Sequence, residues 1–430
     1  MRPILFFLVI LILLSSCREE KKSIVHATDY ETYLTFQKAA SKYSLDDDMT
    51  FWIERLQRMP KDEASTRKLA GLHAAKFKAT GLVEELKISD SIYHELLKTA
   101  TTGRVGLFLG LAQNSITQHQ FKTAEMYSDS AIAIGERRPT ALLVSTDIAL
   151  ELGNCYKAKN ILKQFTNQNS FAHRIRQVKV KDQQGDLESA ILIMEAAHDR
   201  VKGNKDLYCW SLSNLGDMYG HAGRVEDAYN AYLSVLQKDP GYDYALKGIA
   251  WIAISNDKNF TEAERIIHTL ASRSRMPEAH LMLAEIAELE SNPAEKEKHL
   301  NRFVSLTDNE GYKTMYAKYL AALYAQDLNQ PEKSLVIAEE EISNRPTPQS
   351  FDLKAWALLH LGRKKEALAF AQKYVEGRTF EPDAAYHLGM IYRANGFEDE
   401  AEKHLEEALK SSFELGPVIS REIKKALDTL

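Results

Sequence analysis

The stretch from Cys209 to Pro240 recurs along this chain with a period near 34 residues, and that recurrence limits the fold more than any other feature. A chain made of one short unit repeated cannot gather its apolar residues at a single centre. Each copy must bury its face against the next, which gives an elongated array. Numbering Cys209 as position 1 puts Leu212, Leu215, Gly216, Tyr219, Gly223, Ala228, Tyr232, Val235 and Pro240 at positions 4, 7, 8, 11, 15, 20, 24, 27 and 32. Leu212, Leu215 and Tyr219 fall on one stripe of a first helix, and Tyr232 and Val235 on the facing stripe of a second. Gly216 and Ala228 are small where two antiparallel helices cross. Gly223 suits the left-handed residue that ends a helix, and Pro240 stops the second helix.

Position 1 then falls at Val105, Pro139, Phe171, Cys209, Asp243, Pro277, Thr314, Pro348 and Pro382, with spacings of 34, 32, 38, 34, 34, 37, 34 and 34. Position 20 is Ala124, Ala158, Ala190, Ala228, Ala367 and Ala401, with Ala263 one residue late; position 15 is Gly153, Gly185, Gly223, Gly362 and Gly396. Pro139, Pro277, Pro348 and Pro382 stand at the first helical position, where a missing amide hydrogen costs least, and Pro293 and Pro331 fall in turns between helices. The copy from Pro382 to Phe413 repeats the pattern with Leu388, Gly389, Tyr392, Gly396, Ala401, Leu405 and Ala408. Three copies depart from it: Val178 and Lys296 occupy small-residue positions, and the copy at Thr314 needs one extra residue in its turn. A weaker copy starts near Glu63, with Leu69-Ala70 at positions 7 and 8 and a second helix displaced to about residues 84–97.

This pattern resembles the tetratricopeptide repeat. The resemblance covers residues 63–413 and implies an all-α, right-handed superhelical solenoid of antiparallel helix pairs, about nine or ten repeats long. Residues 31–62 are expected to form an N-terminal helical cap, in which Thr50 caps a short helix ending before Pro60. After Gly416-Pro417, residues Ile419, Ile423, Ala426, Leu427 and Leu430 share one helical stripe, so 414–430 is expected to be a C-terminal capping helix.

In this family the first helix of each repeat lines the concave side through positions 2, 5, 9, 12 and 13. The resemblance therefore assigns Trp210, Tyr244, Trp251, Trp356 and Tyr386 to a partner-binding groove, with Lys247, Lys318 and Arg393 beside them to meet acidic groups. Aromatic rings in a groove offer rigid contact area; a frame shift of one residue would instead pack them between repeats. Position 9 reads Asp217, Trp251, Glu285, Ala322, Trp356 and Met390 from Cys209 onward. The family's carboxylate clamp uses Asn there, so that mode of binding is not expected.

Arg2, an apolar run from Ile4 to Leu14 and then small residues read as an export signal, too short to span a bilayer comfortably. Leu14-Ser15-Ser16-Cys17 is similar to the lipobox of bacterial lipoproteins. That resemblance implies a signal peptide over 1–16, a lipidated (palmitate-bearing) Cys17 and a tether over 17–30; an ordinary signal peptide or an uncleaved anchor is the alternative. Arg18-Glu19-Glu20 looks like the surface-export signal of Bacteroidota lipoproteins, and no Asp follows Cys17. The implied location is the outer membrane, on its periplasmic face or the cell surface. Cys155 and Cys209 lie in different repeats and are expected to be free thiols.

The chain has 430 residues, 27% of them charged, and a net charge of −5. Loss of the signal segment, whose one ionisable side chain is Arg2, leaves −6. This mild acidity does not suggest nucleic acid as a partner. No phosphate loop, nucleophile elbow, His-Glu-x-x-His helix or paired-cysteine zinc pattern occurs. His268, His280 and His299 would have to converge across two repeats to hold a metal, and Glu339-Glu340-Glu341 and Glu406-Glu407 read as exposed helix faces. No cofactor is expected. The sequence points to a non-catalytic scaffold or adaptor for exported or membrane proteins; a glycan-binding surface lipoprotein and an enzyme with an unrecognised site are the other two classes.

Overall fold

The computed structural model describes residues 23–36, 44–136, 138–273, 277–309 and 311–430, and over these the chain is helical with no strand. The signal segment, Cys17 and Arg18-Glu19-Glu20 lie outside the described residues. Ten antiparallel helix pairs run from α3 (Glu63–Thr80) and α4 (Val83–Thr99) to α21 (Pro382–Ala394) and α22 (Glu398–Lys410), an all-α solenoid. Between them the first helices are α5 (Arg104–Thr117), α7 (Arg138–Glu151), α9 (Phe171–Asp182), α11 (Lys205–His221), α13 (Asp243–Ile252), α15 (Glu278–Leu289), α17 (Ala317–Gln326) and α19 (Pro348–His360). The second helices are α6 (Phe121–Ile134), α8 (Cys155–Leu162), α10 (Leu187–His198), α12 (Val225–Lys238), α14 (Phe260–Arg273), α16 (Pro293–Thr307), α18 (Pro331–Asn344) and α20 (Lys364–Tyr374).

The small residues do what the repeat requires. All six position-20 alanines are fully buried at helix crossings, and the five position-15 glycines have φ between 71° and 81°. Where glycine is missing, His119, Lys258, Ser291 and Asn329 take the left-handed turn instead. The late Ala263 has a local cause: α13 runs into a π-helical stretch, Ala253–Asp257, whose wider turn inserts one residue. Tyr232 shows how adjacent repeats lock. A Cβ on Gly216 would lie 2.6 Å from its ring, and one on Gly248 of the next repeat would also collide with it.

The array coils until successive turns touch. Thr314 donates to the Gln118 carbonyl at 2.8 Å, 196 residues away. Asn344 donates to the His119 carbonyl at 2.5 Å and accepts from the Phe121 amide at 3.1 Å. Arg345 reaches Glu151 at 3.5 Å, 194 residues away, and Phe413 lies against Gly220. Separations of 194 to 225 residues mean that roughly six repeats complete one superhelical turn, and that the first half of the array rests on the second.

The ends differ from expectation. Residues read as the end of the tether and the start of the cap do not cover α3. Instead α1 (Ala27–Leu34) packs on α12 and α14. Asp257, in the π-helical stretch, accepts from the Ser23 hydroxyl at 2.7 Å and from the amides of Ile24 and Val25 at 3.0 and 2.8 Å. Tyr30 is fully buried and donates to Glu262. Arg273 donates to the carbonyls of Tyr33 and Leu34, both at 2.7 Å, at the helix C-terminus where a cation is favoured. The α3 end is covered by α2 (Leu45–Arg58). Its cap is Ser44, which exchanges hydrogen bonds with Asp47, so Thr50 lies inside the helix and bonds back to Asp46. Changing Asp257 to Ala should free residues 23–36, because three polar groups lose a charged acceptor worth about 1–3 kcal/mol. Faster hydrogen exchange at Ile24 and Val25, with the repeats unchanged, is the expected result.

The last helix, α23 (Ser412–Leu427), is bent at Gly416, whose φ of 79° and ψ of 170° leave the helical region. Ile423 and Ala426 are buried in one cluster with Leu405, Ala408 and Tyr386 of the last helix pair. The same helix also turns inward and touches α11, α15 and the π-helical stretch. Among the described residues no helix is long and apolar enough to cross a membrane.

Candidate functional site

The inner face of the coil encloses a cavity of 640 Å³, lined chiefly by six consecutive first helices, α11 to α21, with Phe413, Glu414 and Ile419 of the C-terminal segment. Its wall comes from a few recurring repeat positions. Asp217, Trp251 and Glu285 are at position 9, Lys247, Lys318, Asp352 and Tyr386 at position 5, and Tyr244, Glu278 and Asp383 at position 2. These positions face inward because they share one stripe of the first helix, while positions 4, 7 and 11 face the second helix.

Of the residues assigned to the groove from sequence, Tyr244, Lys247, Trp251, Lys318 and Tyr386 line this cavity and Trp210, Trp356 and Arg393 do not. Trp210 packs edge-on against Phe171, 5.9 Å between centroids. Arg393 is on the outer surface, bonded to Thr429 at 2.9 Å. Trp356 is core: it is 3% exposed and stacks on His387 at 4.0 Å, between Tyr386 and His360. Close packing of α19 against α21 takes its ring inside.

Trp251 and Tyr386 are already engaged by the C-terminal helix. The Trp251 indole donates to the Phe413 carbonyl at 3.0 Å, and the Tyr386 hydroxyl to Glu422 at 2.7 Å. Glu285 accepts from the Val418 amide at the first turn after Pro417, a carboxylate placed at a helix N-terminus. A side chain at Gly416 would meet Glu285 at 2.5 Å and Trp251 at 2.9 Å, so only glycine lets the chain pass. Burial pushes the Glu285 carboxyl up to about 7, against the pull of the Val418 amide.

The cavity is acidic, and none of its acids is among the residues assigned to the groove from sequence. Asp217, Glu278, Glu285, Asp352, Glu381, Asp383 and Glu414 line it, against Lys247, Lys318 and Arg345. The signal is present in the sequence, since five of the seven sit at positions 2, 5 and 9, the stripe that faces inward. Asp217 accepts from Tyr232 at 2.6 Å and Tyr244 at 2.8 Å, and burial raises its carboxyl above the usual range. Lys318 pairs with Asp383 at 2.7 Å; its side chain is 49% exposed, but to the cavity rather than to the outside. Arg345 is tied to Glu341 at 2.7 Å. Glu414 is raised by burial and by Glu381 and Asp383, with His221 at 3.6 Å opposing.

Cys155 and Cys209 are free, the latter buried. His280 and His299 stack with Nδ1 atoms 3.1 Å apart, and among the described residues no group of three ligating side chains gathers.

A tetratricopeptide repeat from Parabacteroides merdae has a crystal structure to which the chain is 16% identical, over 75% of this chain and 97% of that one, with a TM-score of 0.31. The human IFIT1 dimer with PPP-AAAA is 14% identical over 86% of this chain and 96% of that one, TM-score 0.41, and its m7Gppp-AAAA form is similar at the same identity and score. No curated protein matches the chain. Residues 382–414, the α21–α22 pair and the turn after it, match the family model described as tetratricopeptide repeat.

Proposed function

We propose that this chain is a non-catalytic protein-binding scaffold, anchored at the outer membrane through acylated Cys17, and that it holds a segment of an exported or membrane partner inside the concave cavity. The observation that carries this is the wall itself: equivalent positions of six consecutive first helices converge on one 640 Å³ space with aromatic and charged side chains. Tyr244 and Tyr319 are 46% and 45% exposed there, offering rigid contact area to a ligand.

The docked N-terminal segment adds a spatial constraint to the anchor. Cys17 and Ser23 are six residue steps apart, and fully extended these span about 20 Å. With Cys17 in the bilayer, the α12 and α14 side of the coil lies within that distance of the membrane. Changing Cys17 to Ala is then expected to move the protein from the membrane fraction to the soluble one; continued membrane association would refute the anchor.

Affinity capture from gently solubilised membranes, with the wild type beside a Tyr244→Ala, Tyr319→Ala variant of unchanged circular dichroism, tests the scaffold. A stoichiometric protein held by the wild type and lost by the variant is the expected outcome. Equal capture by both would move the binding surface off the concave face. Retention on polysaccharide with no protein captured would favour the glycan-binding class.

A further inference from the structure

Among the described residues that line it, the cavity wall carries seven acidic side chains against three lysine and arginine side chains. Two of the three cations are already committed, Lys318 to Asp383 and Arg345 to Glu341. Lys247 lies over the Tyr244 ring at 5.6 Å. The acids are not equally satisfied. Asp352 is 4% exposed and uses Oδ2 to accept from His387 at 2.7 Å, while its Oδ1 is buried on the cavity wall without a hydrogen-bond partner. A buried carboxylate oxygen left unpaired costs about as much as a lost charged hydrogen bond, so this wall has an unmet demand for donors.

We propose that the concave cavity is an organic-cation site, which takes an alkylammonium or guanidinium group on Asp352 and the neighbouring acids, with Tyr244 and Tyr319 against its apolar stem. The inference rests on the concave face being the binding face. Carboxylate oxygens accept only, and an ammonium or guanidinium brings several N–H donors together with the opposite charge. Aromatic faces favour the same cations. The chain's own Lys318 demonstrates the fit, since its ammonium sits in this space on Asp383. Burial first, and after it Glu381 and Asp383, raise the Glu414 carboxyl on this wall, with His221 opposing. An anion entering the same space would meet these acids, and of the described lining cations Lys318 and Arg345 are already paired. At 640 Å³ the cavity admits either a short run of peptide bearing a lysine or arginine or a free polyamine.

Isothermal titration of the full chain with three probes decides between these sources. The probes are spermidine, a capped Gly-Lys-Gly-Arg-Gly peptide, and the same peptide with acetyl-lysine and citrulline; inorganic phosphate is the anionic control. Saturable 1:1 binding of a cationic probe is expected, weakened about ten-fold or more by Asp352→Asn and by added salt. Because Asp352 also holds His387, Glu381→Gln on the half-buried wall is the second variant, and it should weaken the same probe while leaving the melting temperature unchanged. Binding of the peptide but not spermidine assigns the cation to a partner's side chain; the reverse assigns it to a free amine. Binding of neither cation, binding equal to that of the neutral peptide, or binding untouched by both variants would overturn the proposal. If a partner is captured while all cations fail, this inference falls and the scaffold stands; if cations bind while nothing is captured, the scaffold falls and the cation site stands.

Discussion

Trp356→Ala should destabilise the C-terminal repeats by about 3–5 kcal/mol, the range for deleting a large buried aromatic, and Trp356→Phe should cost far less. The ring is 3% exposed and in contact with His387, His360 and Tyr386, so alanine leaves a cavity between α19 and α21 that helix packing cannot close. Its Nε1 is buried without a hydrogen-bond partner. Phenylalanine keeps most of the stacking and removes that orphaned donor, whose burial costs about 1–3 kcal/mol, so the lost contacts are largely offset. Chemical denaturation of the two variants, followed by circular dichroism, measures the contrast. Equal mild losses in both would mean that Trp356 is not core, and would return it to the binding surface.

The second large effect is a pH dependence of C-terminal helix docking. Glu285 is raised from its ordinary value of 4.5 to about 7 when α23 covers it. Between those values the docked state keeps a proton that the undocked state has released, so docking is strongest near pH 4.5 and weakens as pH rises to about 7. The span corresponds to about 3 kcal/mol. His119 has the opposite sign. Burial, and then the nearby Arg345, lowers it from 6.5 to about 4, so the contact between superhelical turns is intact above 6.5 and loosens as pH falls toward 4. Amide exchange corrected for intrinsic rates should therefore show residues 417–427 better protected at pH 5 than at pH 8, and the 118–121 contact less so. Glu285→Gln, neutral at all pH, should hold α23 equally well at both values. A pH dependence that survives in this variant would remove Glu285 as its cause.

The two predictions concern contacts of different legibility. That α19 and α21 exist, and where they start, follows from Pro348 and Pro382 at position 1 and Gly362 and Gly396 at position 15. The inward stripe was also accessible, since Tyr244, Lys247, Trp251, Lys318 and Tyr386 all reach the cavity from the positions assigned. Trp356 holds the same position as Trp251 and yet is buried. The difference arises because the incoming Phe413 ties the Trp251 indole through its carbonyl at the cavity, whereas His387 of α21 covers Trp356. Position in a repeat sets a direction; the neighbour that fills that direction lies elsewhere in the chain.

The sequence by itself determined the helix pairs, their turns and their crossings, because these depend on residues within one or two repeats of each other: a small residue where backbones cross, a glycine where φ is positive, an apolar stripe facing its partner. Only the tertiary structure decided that the coil closes on itself, that residues 23–36 bind the π-helical stretch, and that α23 enters the concave face. Those arrangements depend on small angles accumulated over about 194 residues and on single polar pairs such as Arg345 with Glu151 and Asp257 with Val25. No local period records either one, and together they turn an open groove into an enclosed acidic cavity.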